Sequence, residues 1–280
     1  MRRGYICRRV GRAVIGATCV FALLSAQEPF DHSYADYAAL LERHVSGARV
    51  DYGRLLAQRG QLDDVVRHFD AVDAGTLESW PREEQLAFWI NAYNVFTLKA
   101  IVDHYPIQGS WFSWYPRSSI RQIDGVWDQL PWRAAGRRVT LDQIEHEILR
   151  PTFAEPRIHF AINCASISCP PLWLEPYRAD QLDAQLEDAA RRYLASPEGL
   201  QLDGETLRVT SILDWYGDDF VSSYAELTPG DRPDRDRAIL GAVARHGPPA
   251  AASLARSGSA RLRFLPYNWS LNDVAPATAR

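Results

Sequence analysis

Lysine is almost missing from this 280-residue chain. Lys99 is the only one among 31 basic residues, the rest being arginine. Arginine-favouring base composition accounts for that bias, and it makes the position of Lys99 worth inspecting. An excess of positive charge is also absent: the formal net charge is −4. Without Arg2, Arg3, Arg8, Arg9 and Arg12, 26 basic residues face 35 acidic ones. That balance disfavours a nucleic-acid partner or an anionic membrane surface. Cysteine is scarce, at four residues. No H-E-x-x-H pattern places two ligands on one helical face, and Cys164 with Cys169 is too small a set for a structural zinc site. No metal and no cofactor is therefore expected. Internal repeats and low-complexity linkers are missing as well.

The arginines named above form a basic start. Ala13 to Leu24 is then a short uncharged apolar core, and Ala26 offers a small residue for cleavage. This reads as a secretory signal over residues 1–26, carrying away Cys7 and Cys19, with no integral membrane segment left afterwards. The expected destination is outside the cytoplasm, in the periplasm. Export would put Cys164 and Cys169 in an oxidising compartment where a disulfide can form. Residues 27–274 are expected to form a single globular domain, with 275–280 as a disordered tail.

Helical spacing runs from Tyr34 to Phe69, interrupted near Gly47 to Gly53. The strongest helix is Glu83 to Tyr105, apolar on every side of its wheel, and therefore a buried central helix. Asn91, Asn94 and Lys99 rule out a transmembrane reading of it. Thr140-Leu141-Asp142-Gln143 is a capping box opening a helix over Leu141 to Leu149, which should stop before Pro151. Ile158 to Asn163 reads as a buried strand. Asp180 to Leu194, Ile212 to Tyr224 and Asp236 to Arg245 read as further helices. A hairpin is expected around Asp203-Gly204, with a final strand over Arg261 to Leu265. The sum is an α+β class, mostly helical, with a buried central helix and a small antiparallel sheet.

Chemistry concentrates at Arg157 to Pro171, where an apolar run delivers His159, Asn163 and Cys164 into a Ser/Cys/Pro loop. A nucleophilic Cys164 needs a base, which His159 or His146 could supply, and donors for an oxyanion, which Ala165-Ser166-Ile167 could offer. The alternative is a Cys164–Cys169 disulfide closing the loop. On the 141–149 helix, Glu145 falls inside the apolar arc and His146 on its edge. A carboxylate aimed at the core must be paired, hydrogen-bonded or protonated. It either salt-bridges a cation such as Lys99 or orients a histidine. Asn91 and Asn94 either tie the central helix to a neighbouring loop or form a polar wall of a pocket. Trp111, Trp114 and Tyr115 crowd one loop with aromatic surface, followed by Trp127, and could line a cleft.

Phe88-Trp89-Ile90-Asn91-Ala92-Tyr93-Asn94, Leu141 to Arg150, and His159 to Ser166 with Ser168 to Pro171 together resemble the domain-of-unknown-function family numbered 547. Ser211-Ile212-Leu213, Trp215-Tyr216, Asp219-Phe220 and the closing Leu265 to Asn272 fit the same pattern, so the resemblance runs from about Tyr34 to Asn272. Asn268 stands where the closing motif usually carries an acid, so any charged role of that acid is lost. The resemblance implies one domain and weight on Glu145, His146, His159 and Cys164, but no reaction.

The inventory points to a thiol-dependent hydrolase or acyltransferase, papain-like or transglutaminase-like by analogy. Cys164 is its expected nucleophile, His159 or His146 its base, and Glu145 the orienting acid. Asn91 or Asn94 would polarise the substrate. The competing expectation is a binding or accessory module with Trp111, Trp114, Tyr115 and Trp127 as an aromatic groove, stapled by a disulfide. The ligand in either case would be a small molecule, peptide or glycan.

Overall fold

The computed structural model describes Met1 and residues 30–274. The expected signal segment, apart from Met1, and the expected tail lie outside the described residues. The class is mixed α+β and mostly helical, as expected. The central helix spans Arg82–His104 and is buried along nearly its whole length from Leu86 to Val102. Tyr52–Ala57 and Arg59–Ala71 pack against it, and Ala35–His44 packs against those two helices. The helix carrying Glu145 and the segment around Ala179–Gln181 also pack against the central helix. Lys99 is its one half-buried residue within that span, and its ammonium pairs with Asp63 at 3.2 Å and with Asp103. The expected option of a Lys99–Glu145 bridge is therefore replaced by a pairing one helical turn away along its own helix.

Three small sheets decorate this core. Two are short hairpins, Val45–Ser46 with Arg49–Val50 and Trp132–Ala134 with Arg137–Val139. In the third, Leu200–Asp203 pairs antiparallel with Thr206–Val209, and Arg261–Phe264 adds to that strand in parallel. Gly204, at φ +55°, makes the two-residue turn possible because it has no Cβ to clash.

Two segments depart from the sequence reading. The helix opened by the capping box is a π-helix over Gln143–Phe153 and runs through Pro151. In an α-helix the Pro151 ring would collide with the carbonyl four residues back; the wider π turn moves that carbonyl away. The box itself forms as expected, with Thr140 N–H donating to Gln143 Oε1 at 3.1 Å and Gln143 N–H to Thr140 Oγ1 at 3.2 Å. The expected strand at Ile158 to Asn163 is instead a 3₁₀ turn over Pro156–Phe160 followed by irregular chain. Its amides bond locally, Ala161 and Ile162 both to Ile158 O, so no ladder is available to a neighbour.

Buried apolar residues divide into two clusters. The larger is built around the central helix. The smaller joins Leu182–Leu194, the third sheet, and the helices Asp234–His246 and Pro249–Arg256. Trp173 packs against both. No helix among the described residues is long and apolar enough to cross a membrane.

Candidate active site

A cavity of about 460 Å³ opens where the two clusters meet. Glu145, His146, His159 and Cys164 all line it, so four residues from two separated motifs share one space. The other walls are mostly aromatic: Tyr93, Trp127, Trp215, Tyr216, Tyr267 and Trp269.

The Cys164 loop is held from two sides. Asn94 braces its approach, donating from Nδ2 to Ala161 O at 3.0 Å and accepting the Asn163 N–H on Oδ1 at 2.8 Å. Asn163 then reaches across the loop, accepting from Ala165 N–H at 2.9 Å and donating to Pro170 O at 2.6 Å. Ala165 adopts the left-handed conformation, φ +57°, which turns the chain at once after Cys164. A non-glycine residue there stores roughly 1–2 kcal/mol of strain. On the other side lies the closing segment, with Ile167 N–H donating to Ser270 O at 2.9 Å and Asn272 N–H to Ala165 O at 3.1 Å. Asn268 uses its Oδ1 to accept from Ser270 N–H at 3.0 Å, a turn contact that needs no charge.

Asn91 does for Tyr177 what Asn94 does for Ala161 and Asn163, bonding its N–H and carbonyl at 2.9 and 2.8 Å. Both asparagines bond backbone and lie off the cavity wall, which fits the loop-tying option. Trp111 and Trp114 also lie away from the cavity, 74% and 100% exposed, and of the expected aromatic groove only Trp127 borders it. Trp111 stacks instead beneath the Arg117 guanidinium at 4.1 Å.

Cys164 and Cys169 are free thiols whose sulfurs lie 2.6 Å apart. Cys164 is partly exposed on the cavity, while Cys169 is buried behind it. The Cys164 sulfur also lies 3.0 Å from Tyr267 Oη and 3.3 Å from Ser166 Oγ. Burial pushes the Cys164 thiol up, but donors from Cys169, Ser166 and Tyr267 outweigh it and hold the thiol below its ordinary range. Cys169 moves the opposite way, raised by burial and by sharing its proton with Cys164. Of the expected backbone donors, Ala165 N–H is engaged on Asn163 and Ile167 N–H on Ser270 O, while no hydrogen bond uses Ser166 N–H among the described residues. The Ser166 and Tyr267 hydroxyls add to it beside the sulfur.

His159 is almost wholly buried, stacked on Tyr216 with ring centres 4.0 Å apart. Its Nε2 donates to Asp219 Oδ2 at 2.7 Å, and its Nδ1 lies 3.9 Å from Glu145 Oε1. Asp219 is clamped further by Arg150, which donates through Nε and Nη2 at 2.7 and 2.9 Å. Burial would raise the Asp219 carboxyl, yet His159 and Arg150 hold it far below the usual carboxylate range. Glu145, buried as expected, accepts from Tyr93 Oη at 3.3 Å. Burial keeps the Tyr93 phenol protonated and so able to donate.

His146 stands differently. Arg150 Nη1, which can only donate, meets His146 Nδ1 at 3.0 Å, so the ring proton belongs on Nε2, 3.3 Å from Asp142 Oδ1. Both nitrogens are occupied, which leaves His159 as the histidine whose second nitrogen faces an acid across the cavity. Neither histidine is hydrogen-bonded to Cys164 among the described residues.

Residues 77–194 match the family described as "Protein of unknown function, DUF547". The match takes in the central helix, the π-helix and the Cys164 loop, and supports the resemblance over a substantial part of the chain. Trp215, Tyr216, Tyr267 and Trp269 complete the cavity from beyond the DUF547-matched residues, and Asp219, the partner of His159, also lies beyond them. Neither the curated proteins nor the solved structures contain a match. Asp219, Arg150 and Tyr267 are site residues that charge and spacing do not reveal; their one signal in sequence is that they fall within the motifs carrying the resemblance.

Proposed function

We propose that the cavity is a thiol active site for acyl chemistry, making the protein a hydrolase or acyltransferase with Cys164 as its nucleophile. The observation that carries this reading is the Cys164 sulfur on the cavity wall, surrounded by hydroxyl and thiol donors that favour the thiolate. His159 and Glu145 share the same space. In this reading the Cys164 thiolate attacks a substrate carbonyl carbon. A C–S bond forms while the carbonyl π pair moves to oxygen; the pair then returns and expels the leaving group. His159, anchored through Nε2 on Asp219, holds on Nδ1 the proton given up by Cys164, as an imidazolium that Glu145 stabilises, and passes that proton to the leaving group. Water, or an acceptor amine or alcohol, then attacks the thioester and loses its proton to the same nitrogen, and the C–S bond breaks to release the product and the Cys164 thiolate. Tyr267 and Ser166 are the hydroxyl donors available to the developing oxyanion.

Exposure to p-nitrophenyl acetate followed by acid quench and peptide mass spectrometry tests this. An acetyl group on the Cys164 peptide, absent in Cys164→Ala and long-lived in His159→Asn, is the expected result. Unmodified Cys164 under conditions that acetylate a free thiol would overturn it.

A non-catalytic ligand-binding module is the second reading. Trp127, Trp215, Tyr267 and Trp269 on one wall favour it, since stacked indoles suit glycans and peptides. It leaves the donors around Cys164 without a purpose. We place either activity outside the cytoplasm, on the strength of the basic start and short apolar core of residues 1–26. N-terminal sequencing of the exported protein should begin near Gln27.

A further inference from the structure

Arg121 borders the same cavity. It sits on the turn Ile120–Gln122, fixed by its backbone N–H on Ser119 Oγ at 3.2 Å. Its guanidinium lies over three rings at once, 4.4 Å from the centre of Trp269, 4.9 Å from Tyr115 and 5.0 Å from Trp127. Trp269 stands nearly perpendicular to Tyr115 and Trp127, at 81° and 78°, so the three rings form an aromatic corner around the cation. No carboxylate pairs with it, and no hydrogen bond uses its N–H groups among the described residues. The two acids on the cavity wall are engaged elsewhere, Asp142 beside His146 and Glu145 beside Tyr93 and His159.

The cation is also tied to the thiol by a short line of contacts. Cys164 Sγ meets Tyr267 Oη at 3.0 Å; the Tyr267 and Trp269 rings are 4.5 Å apart; Arg121 lies over Trp269. One ligand spanning two aromatic rings could therefore reach both ends.

We propose that Arg121 recognises an anionic group and that the substrate is a small acyl compound bearing a free carboxylate, such as an N-acylated amino acid or a peptide C-terminus. A guanidinium seated in an aromatic corner, with no hydrogen bond on its N–H groups, can match a planar carboxylate through two parallel hydrogen bonds. The substrate class rests on the thiol reading above; the anion preference of Arg121 does not.

Quenching of tryptophan fluorescence by N-acetyl-L-leucine, N-acetyl-L-leucinamide and inorganic phosphate tests it, because Trp127, Trp215 and Trp269 all face the cavity. The carboxylate should bind roughly tenfold more tightly than the amide and more tightly than phosphate. Arg121→Gln should remove that preference, with Arg121→Lys keeping part of it. Both variants should melt within about 4 °C of the wild type, since Arg121 is exposed and loses only ring contacts. Equal titration by carboxylate and amide, titration by neither up to solubility, or tighter binding of phosphate would each overturn the assignment. Cys164→Ser should retain the full carboxylate preference. A preference that persists while Cys164 never acylates defeats the thiol reading alone. Acylation of Cys164 without any Arg121-dependent discrimination defeats the carboxylate proposal alone.

Discussion

The Cys164 sulfur and the Tyr267 hydroxyl, 103 residues apart in sequence, are 3.0 Å apart in the folded chain. Burial and the neighbouring thiols keep the Tyr267 phenol protonated far beyond neutral pH, so it remains a donor over the whole range in which Cys164 titrates. Tyr267→Phe removes that donor and leaves burial less opposed. The rate of Cys164 alkylation by iodoacetamide should then require a higher pH, its midpoint moving up by about one unit, the worth of one modest hydrogen bond to a charged sulfur. Cys169, buried and raised, should stay unmodified in both proteins. An unmoved midpoint would show that Tyr267 does not stabilise the thiolate.

Asp219 connects the acid–base side of the cavity to the fold. Asp219→Asn weakens the acceptor on His159 Nε2 and strips the partner from Arg150. A loss of roughly 2–3 kcal/mol in urea unfolding is expected, together with a fall in turnover of about 10²-fold or more. The sign with pH is fixed by the downward shift. Unfolded chains bind a proton at this carboxyl near pH 3.9 and the folded chain only well below that. The Asp219 contribution is thus fully present above about pH 5 and is lost as pH falls through the acid range. In Asp219→Asn that component of the acid slope should vanish; an unchanged slope would mean that the clamp contributes no stability.

The reach of sequence reasoning here follows the distance over which each feature is decided. The capping box of Thr140 and Gln143 and the burial of Glu145 depend on residues within a turn or two, and both were legible. Pro151 misled because a proline normally ends an α-helix, and nothing local announces that the backbone widens to admit it. The segment Ile158 to Asn163 misled for the opposite reason. Its alternating pattern suits a strand, but the partner that meets its backbone is the side chain of Asn94, from a helix 69 residues earlier. Asp219 and Tyr267 join the site only because the chain returns to it, so charge, spacing and periodicity could not single them out.

That role of Asn94 is open to test. Asn94→Leu keeps the volume but leaves Ala161 O and Asn163 N–H buried without partners, at a cost of about 2–4 kcal/mol. Asn94→Asp retains the acceptor for Asn163 N–H and loses the donor to Ala161 O, so it should destabilise less near the carboxylate's own titration range and more at neutral pH. Cys169, closed to iodoacetamide in the wild type, should become alkylated in Asn94→Leu, because the loop covering it loosens. If Cys169 stays closed in a folded Asn94→Leu protein, the brace is not what holds the loop.

A second acid-sensitive element lies away from the cavity. His246 is buried, with its Nε2 2.8 Å from Tyr224 Oη and its Nδ1 3.3 Å from Glu187. Burial drives its pKa down from 6.5 to about 4; Glu187 pulls upward, but Arg157 and Arg245 oppose it. Between those values the unfolded chain holds a proton that the folded chain does not, so stability falls as pH drops from 6.5 towards 4. The loss is on the order of 2 kcal/mol, smaller than the full shift because Glu187 can share the charge. His246→Gln keeps a polar group beside Tyr224 and cannot titrate, so its unfolding free energy should be flatter across that window even if lower at pH 8. Parallel slopes for the two proteins between pH 6.5 and 4 would assign the acid sensitivity to His44, the other histidine whose pKa is lowered by burial.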